Sequence, residues 1–159
     1  MNTATITLHY TICQWDELSV QDRRLVEAAR EATLQSYAPY SHFHVGAAVA
    51  LNNGKIVTGS NQENAAYPSG LCAERTALFA AQHQYPEAAV CSIALTARNA
   101  QGWLSHPLSP CGACRQVMVE TEQRSQQPLR ILLVGSNEIY LIEGIKQLLP
   151  FLFTEESLR

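Results

Sequence analysis

Three cysteines and one glutamate constrain this chain more than any other feature. Cys72 stands two residues before Glu74, and a second pair follows downstream in Pro110-Cys111-Gly112-Ala113-Cys114. A fold that uses them together must bring two segments distant in sequence to one point. Zinc is bound well by deprotonated cysteines, and a catalytic zinc site takes three protein ligands and leaves its fourth position for water. Glu74 lies too close to Cys72 to be an ordinary fourth ligand, and it is well placed for proton transfer to such a water.

Two other readings of the cysteines compete. A C-x-x-C pair also marks thioredoxin-like redox sites, but those need neither a third cysteine nor an acid. A structural zinc site needs a fourth ligand. His42, His44, His83, His106 and Cys91 are available in principle, and none has a convincing spacing. The five cysteines are an odd number, and Met1 to Thr5 carries neither a basic nor an apolar leader pattern. A disulfide framework is therefore not expected, and the location expected is cytoplasmic. Cys13 and Cys91 fall in strand-like runs and read as buried free thiols. The net charge of −3 and the lack of a basic stripe argue against polynucleotide binding and favour a small, nearly neutral substrate. No apolar run is long enough to span a membrane.

Along the chain, Ile6, Leu8, Tyr10 and Ile12 alternate with Thr and His, which predicts a half-buried strand over residues 4–12. Ser19 with Asp22 resembles a capping box, and a helix is expected from there to Tyr37, stopped by Pro39. Its apolar stripe is Leu25, Val26, Ala29, Ala32 and Thr33. The run Val45 to Leu51, then Asn53-Gly54, then Lys55 to Ser60 reads as a hairpin, because both turn residues tolerate positive φ. Gly46, Ala47 and Ala48 imply close approach of a helix or ligand. Helices are expected from Cys72 to Gln84 and from Cys111 to Gln123. Strands are expected over Val90 to Ala97, Leu129 to Val134 and Ile139 to Ile142, with Arg98 to Ser109 a loop. A short last helix is expected through Leu148-Leu149. This order predicts an α/β fold: three layers, α/β/α, around one mixed sheet of roughly five strands. Residues 1–18 read as an N-terminal extension with its own strand, and residues 19–159 as one domain. Helix N-termini stabilise thiolates, so both cysteine elements are favourably placed.

Cys-x-Glu with Pro-Cys-x-x-Cys is far more specific than either half, and it matches the Cys₃ variant of the zinc deaminase signature. The chain resembles the short, zinc-dependent, homotetrameric cytidine deaminases. The shared pattern includes Tyr37-Ala38-Pro39-Tyr40-Ser41-x-Phe43-x-Val45-Gly46-Ala47-Ala48 and Asn61-x-Glu63-Asn64-Ala65-Ala66-Tyr67. It continues in Cys72-Ala73-Glu74-Arg75-Thr76-Ala77, in Ser109-Pro110-Cys111-Gly112-x-Cys114-Arg115-Gln116-Val117 with Glu120, and in Leu148-Leu149-Pro150-x-x-Phe153.

The resemblance implies hydrolytic deamination of cytidine and deoxycytidine in pyrimidine salvage, with one zinc ion per subunit held by Cys72, Cys111 and Cys114. It implies that Glu74 shuttles protons and that Arg75 hydrogen-bonds to the thiolates and offsets their charge. Read from the residues alone, Arg75 would be a solvated helix residue. The resemblance assigns Asn61 and Glu63 to the ribose and Phe43 to the pyrimidine ring. It assigns the backbones of Ala73 and Ser109 to the base edge, and Tyr67 and Phe153 to a neighbouring subunit's site. From the residues alone, Asn61 is as readily a turn residue and Phe43 a core aromatic. Gln62 departs from the aliphatic residue usual at its position. A relative acting on another cytosine-bearing compound, such as blasticidin S, would not need the intact pair Asn61 and Glu63. An inactive zinc module would need a full protein shell around the metal.

Overall fold

The computed structural model describes residues 1–159. Seven strands form one sheet: β1 (Thr11–Cys13), β2 (His44–Leu51), β3 (Ile56–Ser60), β4 (Val90–Asn99), β5 (Gly102–Trp103), β6 (Arg130–Val134) and β7 (Ile139–Glu143). Their order is β1-β7-β6-β4-β2-β3, with the two-residue β5 paired to the end of β4. Only β4 and β6 are parallel; every other pairing is antiparallel. A parallel pair needs a crossover, and the helix α3 (Gly112–Ser125) supplies it. The other α-helices are α1 (Val20–Ala32) and α2 (Ala73–Gln84).

The three-layer arrangement follows from strand alternation. Leu25, Val26 and Ala29 of α1 pack with Ala48, Ala94, Leu132, Val134 and Ile139 on one face. Ala73, Ala77 and Leu78 of α2 and Met118 and Val119 of α3 pack with Val49, Ile93, Leu95, Ile131 and Leu133 on the other. Odd-numbered positions of β2, and of β4 from Ile93 on, thus face α2 and α3, and even-numbered ones face α1; Val90, beyond a shift in register, also faces α2 and α3. A side chain on Gly46 would meet the Ala29 carbonyl of α1, and one on Gly59 would meet the Ala77 amide of α2 at 2.4 Å. The close approach expected at Gly46 is a helix.

Several boundaries differ from the sequence expectation. The sheet has seven strands rather than five, because β1 adds to the β7 edge and β5 folds back on β4. Of residues 4–12, only Thr11 and Ile12 enter β1, which pairs with Ile139 to Leu141. Ile6, Leu8, Tyr10 and Ile12 remain about half exposed, since no layer covers this edge. Helix α1 ends at Ala32, followed by a 3₁₀ turn, Thr33–Gln35. It cannot continue to Tyr37, because the Tyr37 backbone pairs with the segment around Gln62. Ser19 caps α1 by accepting from the Asp22 amide at 3.0 Å. In the β2–β3 turn only Gly54 takes positive φ, so Asn53 is not in the left-handed region. The short helix expected through Leu148-Leu149 is a 3₁₀ turn over Ile145–Gln147, one turn earlier, and a further 3₁₀ turn, Glu155–Leu158, follows. Cys13 is buried, whereas Cys91 is only half-buried.

Candidate metal centre and active site

Cys72 is the N-cap of α2 and Cys111 the N-cap of α3. Their carbonyls accept the first helical bonds, from Thr76 N at 3.0 Å and Arg115 N at 2.9 Å. Both thiols therefore stand where free N–H groups and the helix dipole favour negative charge. The two helices lie side by side on one face of the sheet, and this brings their N-termini together. Cys72 Sγ and Cys111 Sγ are 3.9 Å apart, and Cys111 Sγ and Cys114 Sγ 3.4 Å. All three sulfurs lie within 4.8 Å of one another.

This donor set fits zinc. Tetrahedral Zn–S bonds of about 2.3 Å put neighbouring sulfurs about 3.8 Å apart. No further His, Cys, Asp or Glu ligand atom joins the group, so the protein supplies three ligands and not a closed shell of four. The Cys114 thiol beside it and then the Arg75 guanidinium bring the Cys72 thiol down to about 5, while the hydrogen bond to Cys72 and then burial push Cys114 up. Arg75 Nη2 lies 3.7 Å from Cys72 Sγ. One cation thus faces the thiolate cluster, and Arg75 is not merely a solvated helix residue.

Glu74 is only 4% exposed, one residue inside α2. Burial pushes its carboxyl up from the ordinary carboxylate range, and the charge on Cys72 adds to that rise. A carboxyl raised in this way holds and releases a proton closer to neutral pH, as a general acid–base group requires.

A cleft of about 520 Å³ opens beside Cys72 and Arg75, and Asn61, Glu63 and Tyr67 line it. Asn61 Oδ1 accepts from Val45 N at 2.8 Å, and its Nδ2 donates to the Phe43 carbonyl at 2.8 Å. It therefore joins the start of β2 to the cleft, beyond a turn residue's ordinary task. Glu63 accepts from the amides of Tyr40 at 2.9 Å and Ser41 at 3.3 Å, and from the Ser41 hydroxyl. These bonds, the hydroxyl first, hold the Glu63 carboxyl below its usual range. Ser41 has no role of its own legible in the sequence beyond its place in the Tyr-Ala-Pro-Tyr-Ser run. Gln62 compensates for its polarity by donating to Ser60 Oγ at 3.1 Å and to the Gln35 carbonyl at 3.3 Å.

Of the other expected site residues, Phe43, Ala73, Ser109 and Phe153 lie outside this cleft. Phe43 is half-buried against the larger core cluster. Ala73 is fully buried at the start of α2. Ser109 lines a separate cavity of about 200 Å³ with Leu8 and Tyr10. Tyr67 and Phe153 are exposed, Tyr67 standing edge-on to Tyr40 at 6.1 Å. Phe153 is held by its carbonyl, which accepts from Gln116 Nε2 at 2.8 Å.

Comparison with known proteins agrees with this geometry. Residues 19–126 match the cytidine and deoxycytidylate deaminase zinc-binding region. A cytidine deaminase of Halalkalibacterium halodurans is 38% identical over 84% of this chain and 95% of its own length. One from Sporosarcina psychrophila is 38% identical over 85% and 93%. The crystal structure of cytidine deaminase from Burkholderia pseudomallei superposes with a TM-score of 0.70 at 37% identity, covering 86% of this chain and all of that one. With three thiols gathered at two helix N-termini and a buried carboxyl beside them, the chain belongs to the zinc-binding cytidine deaminase family.

Proposed function

We propose that this chain converts cytidine and deoxycytidine to uridine and deoxyuridine with release of ammonia, in pyrimidine salvage in the cytoplasm. The observation that carries the reading is the buried Glu74, its carboxyl raised by burial, two residues from Cys72 in the three-cysteine cluster. Cys72, Cys111 and Cys114 would hold one Zn²⁺ per subunit, which when bound supplies Lewis acidity. Glu74 takes a proton from the attacking water, delivers one to ring N3 and then assists the departure of ammonia. Arg75 offsets the negative charge that three thiolates donate.

Asn61 and Glu63 read the ribose. Asn61 spends one N–H and one lone pair on β2, which leaves one of each for a hydroxyl. Phe43 packs against the pyrimidine ring, and the backbones of Ala73 and Ser109 meet the base edge. The assembly is a homotetramer in which Tyr67 and Phe153 complete neighbouring sites, and their exposure in the single chain supports that role. Residues 19–159 form the catalytic domain in this reading, and residues 1–18 an extension. No partner beyond the nucleoside and further copies of the chain is invoked, and nucleic acid and membrane are not. No helix is long and apolar enough to cross a membrane.

Zinc content measured together with the absorbance loss on cytidine and on cytosine tests the reading. A polar site group left without its substrate hydroxyl discriminates by roughly 10⁴–10⁵-fold, so cytosine should be almost inert. Glu63→Ala should lower kcat/KM on cytidine and narrow that gap with zinc retained. Zinc-free active protein, or equal turnover of both compounds, refutes the proposal.

A further inference from the structure

We propose that Arg115 is a positioning residue that ties the Pro110–Cys111 turn to the C-terminal segment, so that the metal-binding loop and residues 148–153 are held as one unit. The proposal rests on the functional reading only in taking Cys111 and Cys114 as metal ligands.

Arg115 sits in the first turn of α3, where the positive end of the helix dipole disfavours a cation. That turn carries no Asp or Glu, and the nearest anionic candidates in sequence are the thiols of Cys111 and Cys114. Here the half-buried guanidinium donates from Nε to the Pro110 carbonyl at 2.8 Å and from Nη1 to the Leu148 carbonyl at 2.6 Å. Pro110 directly precedes the ligand Cys111. Leu148 begins the segment that carries Phe153, whose carbonyl is held by Gln116, the very next residue of α3. Two successive side chains of the helix that bears Cys111 and Cys114 thus grip the C-terminal segment by its backbone. The task differs from that of Arg75, whose guanidinium faces Cys72 Sγ. A rigid planar fork suits two carbonyls in fixed directions; a lysine offers a point charge without that fork.

The test uses full-length, zinc-loaded Arg115→Met, Arg115→Lys and Gln116→Ala. Three quantities are measured: zinc release to a chromogenic chelator, amide hydrogen exchange over residues 148–153, and kcat and KM separately. Arg115→Met should release zinc about tenfold faster, in line with losses of supporting hydrogen bonds around metal sites. Exchange over 148–153 should rise, and kcat should fall more than KM changes. Arg115→Lys should recover less than half of the release and exchange effects. Gln116→Ala should raise exchange near Phe153 and leave zinc release at the wild-type rate. Wild-type release or exchange in Arg115→Met overturns the proposal, as does full recovery in Arg115→Lys, which would assign the residue a charge role. Should Arg115→Met not fold, Arg115→Lys carries the test: unchanged release and exchange overturn the proposal. Release and exchange need no turnover, so a failure of the deaminase reading is distinguishable from a failure of this one.

Discussion

Gly59→Ala tests how the sheet sets the position of the buried Glu74 carboxyl, the acid–base group of the proposed function. A Cβ at Gly59 would stand 2.4 Å from the Ala77 amide, 2.8 Å from the Ala73 carbonyl and 2.9 Å from Ala77 Cα. All three contacts are backbone, so no flexible side chain can yield. Restoring an ordinary contact requires α2 to lift from β3 by about 1 Å. Overpacking of this kind costs about 1–3 kcal/mol, which for a chain of this size lowers Tm by about 2–12 °C. The same shift moves Glu74 relative to Cys111 and Cys114, because Ala73 and Glu74 open α2 while those cysteines belong to α3. A misplacement of about 1 Å costs on the order of 10²-fold in rate. Gly54→Ala is the control. It also loses a glycine, one with φ +80, yet nothing lies within 4 Å of its added Cβ. It should lose about 1–2 kcal/mol through backbone strain and keep its kcat. Thermal melts and cytidine turnover at matched zinc content decide the matter. Wild-type kcat in Gly59→Ala, or equal kcat losses in both variants, would refute the link between helix seating and turnover.

Glu74→Gln keeps the shape of the side chain and removes its titrating proton. It should retain zinc and lose kcat by roughly 10²–10⁴-fold; near-normal turnover would move the proton shuttle elsewhere. Cys72→Ala, Cys111→Ala and Cys114→Ala should each lower zinc content and Tm, since metal binding couples to folding, and full occupancy in all three would contradict the ligand set. Glu63 has a folded pKa below its unfolded value, so its bonds to Ser41 and Tyr40 add stability above the ordinary carboxylate range, and that stability is lost as pH falls through the folded pKa. The Tm difference between wild type and Glu63→Gln should therefore be present at neutral pH and close in acid; a gap that widens in acid would reverse the assignment.

The chemistry was legible in the chain because it is local. Cys72 and Glu74 share one helical turn, and so do Cys111 and Cys114; spacing alone makes each pair a unit. The helix that Ser19 caps, with Leu25, Val26, Ala29 and Ala32 on one side, was legible for the same reason, since a period of 3.6 is written in consecutive residues. The boundaries that moved are those set from a distance. Tyr37 leaves the helix to pair with the segment at Gln62. Residues 4–10 have an apolar alternation that promises a strand, but β7 offers register to only three residues, Thr11 to Cys13.

Sequence by itself determined the ligand types, the acid beside them and the alternation that makes a layered α/β fold. Tertiary structure alone decided that α2 and α3 present their N-termini together, which brings Cys72 Sγ to 3.9 Å from Cys111 Sγ. It also decided that Glu63 holds the Tyr40–Ser41 turn, that Gly59 seats α2, and that Arg115 reaches Leu148. The physical reason is that a side chain's chemistry and its neighbours within one turn travel with the local sequence. The direction of a carbonyl or the burial of a carboxyl depends on which distant segment packs against it, and that is fixed only when the sheet and its helices close.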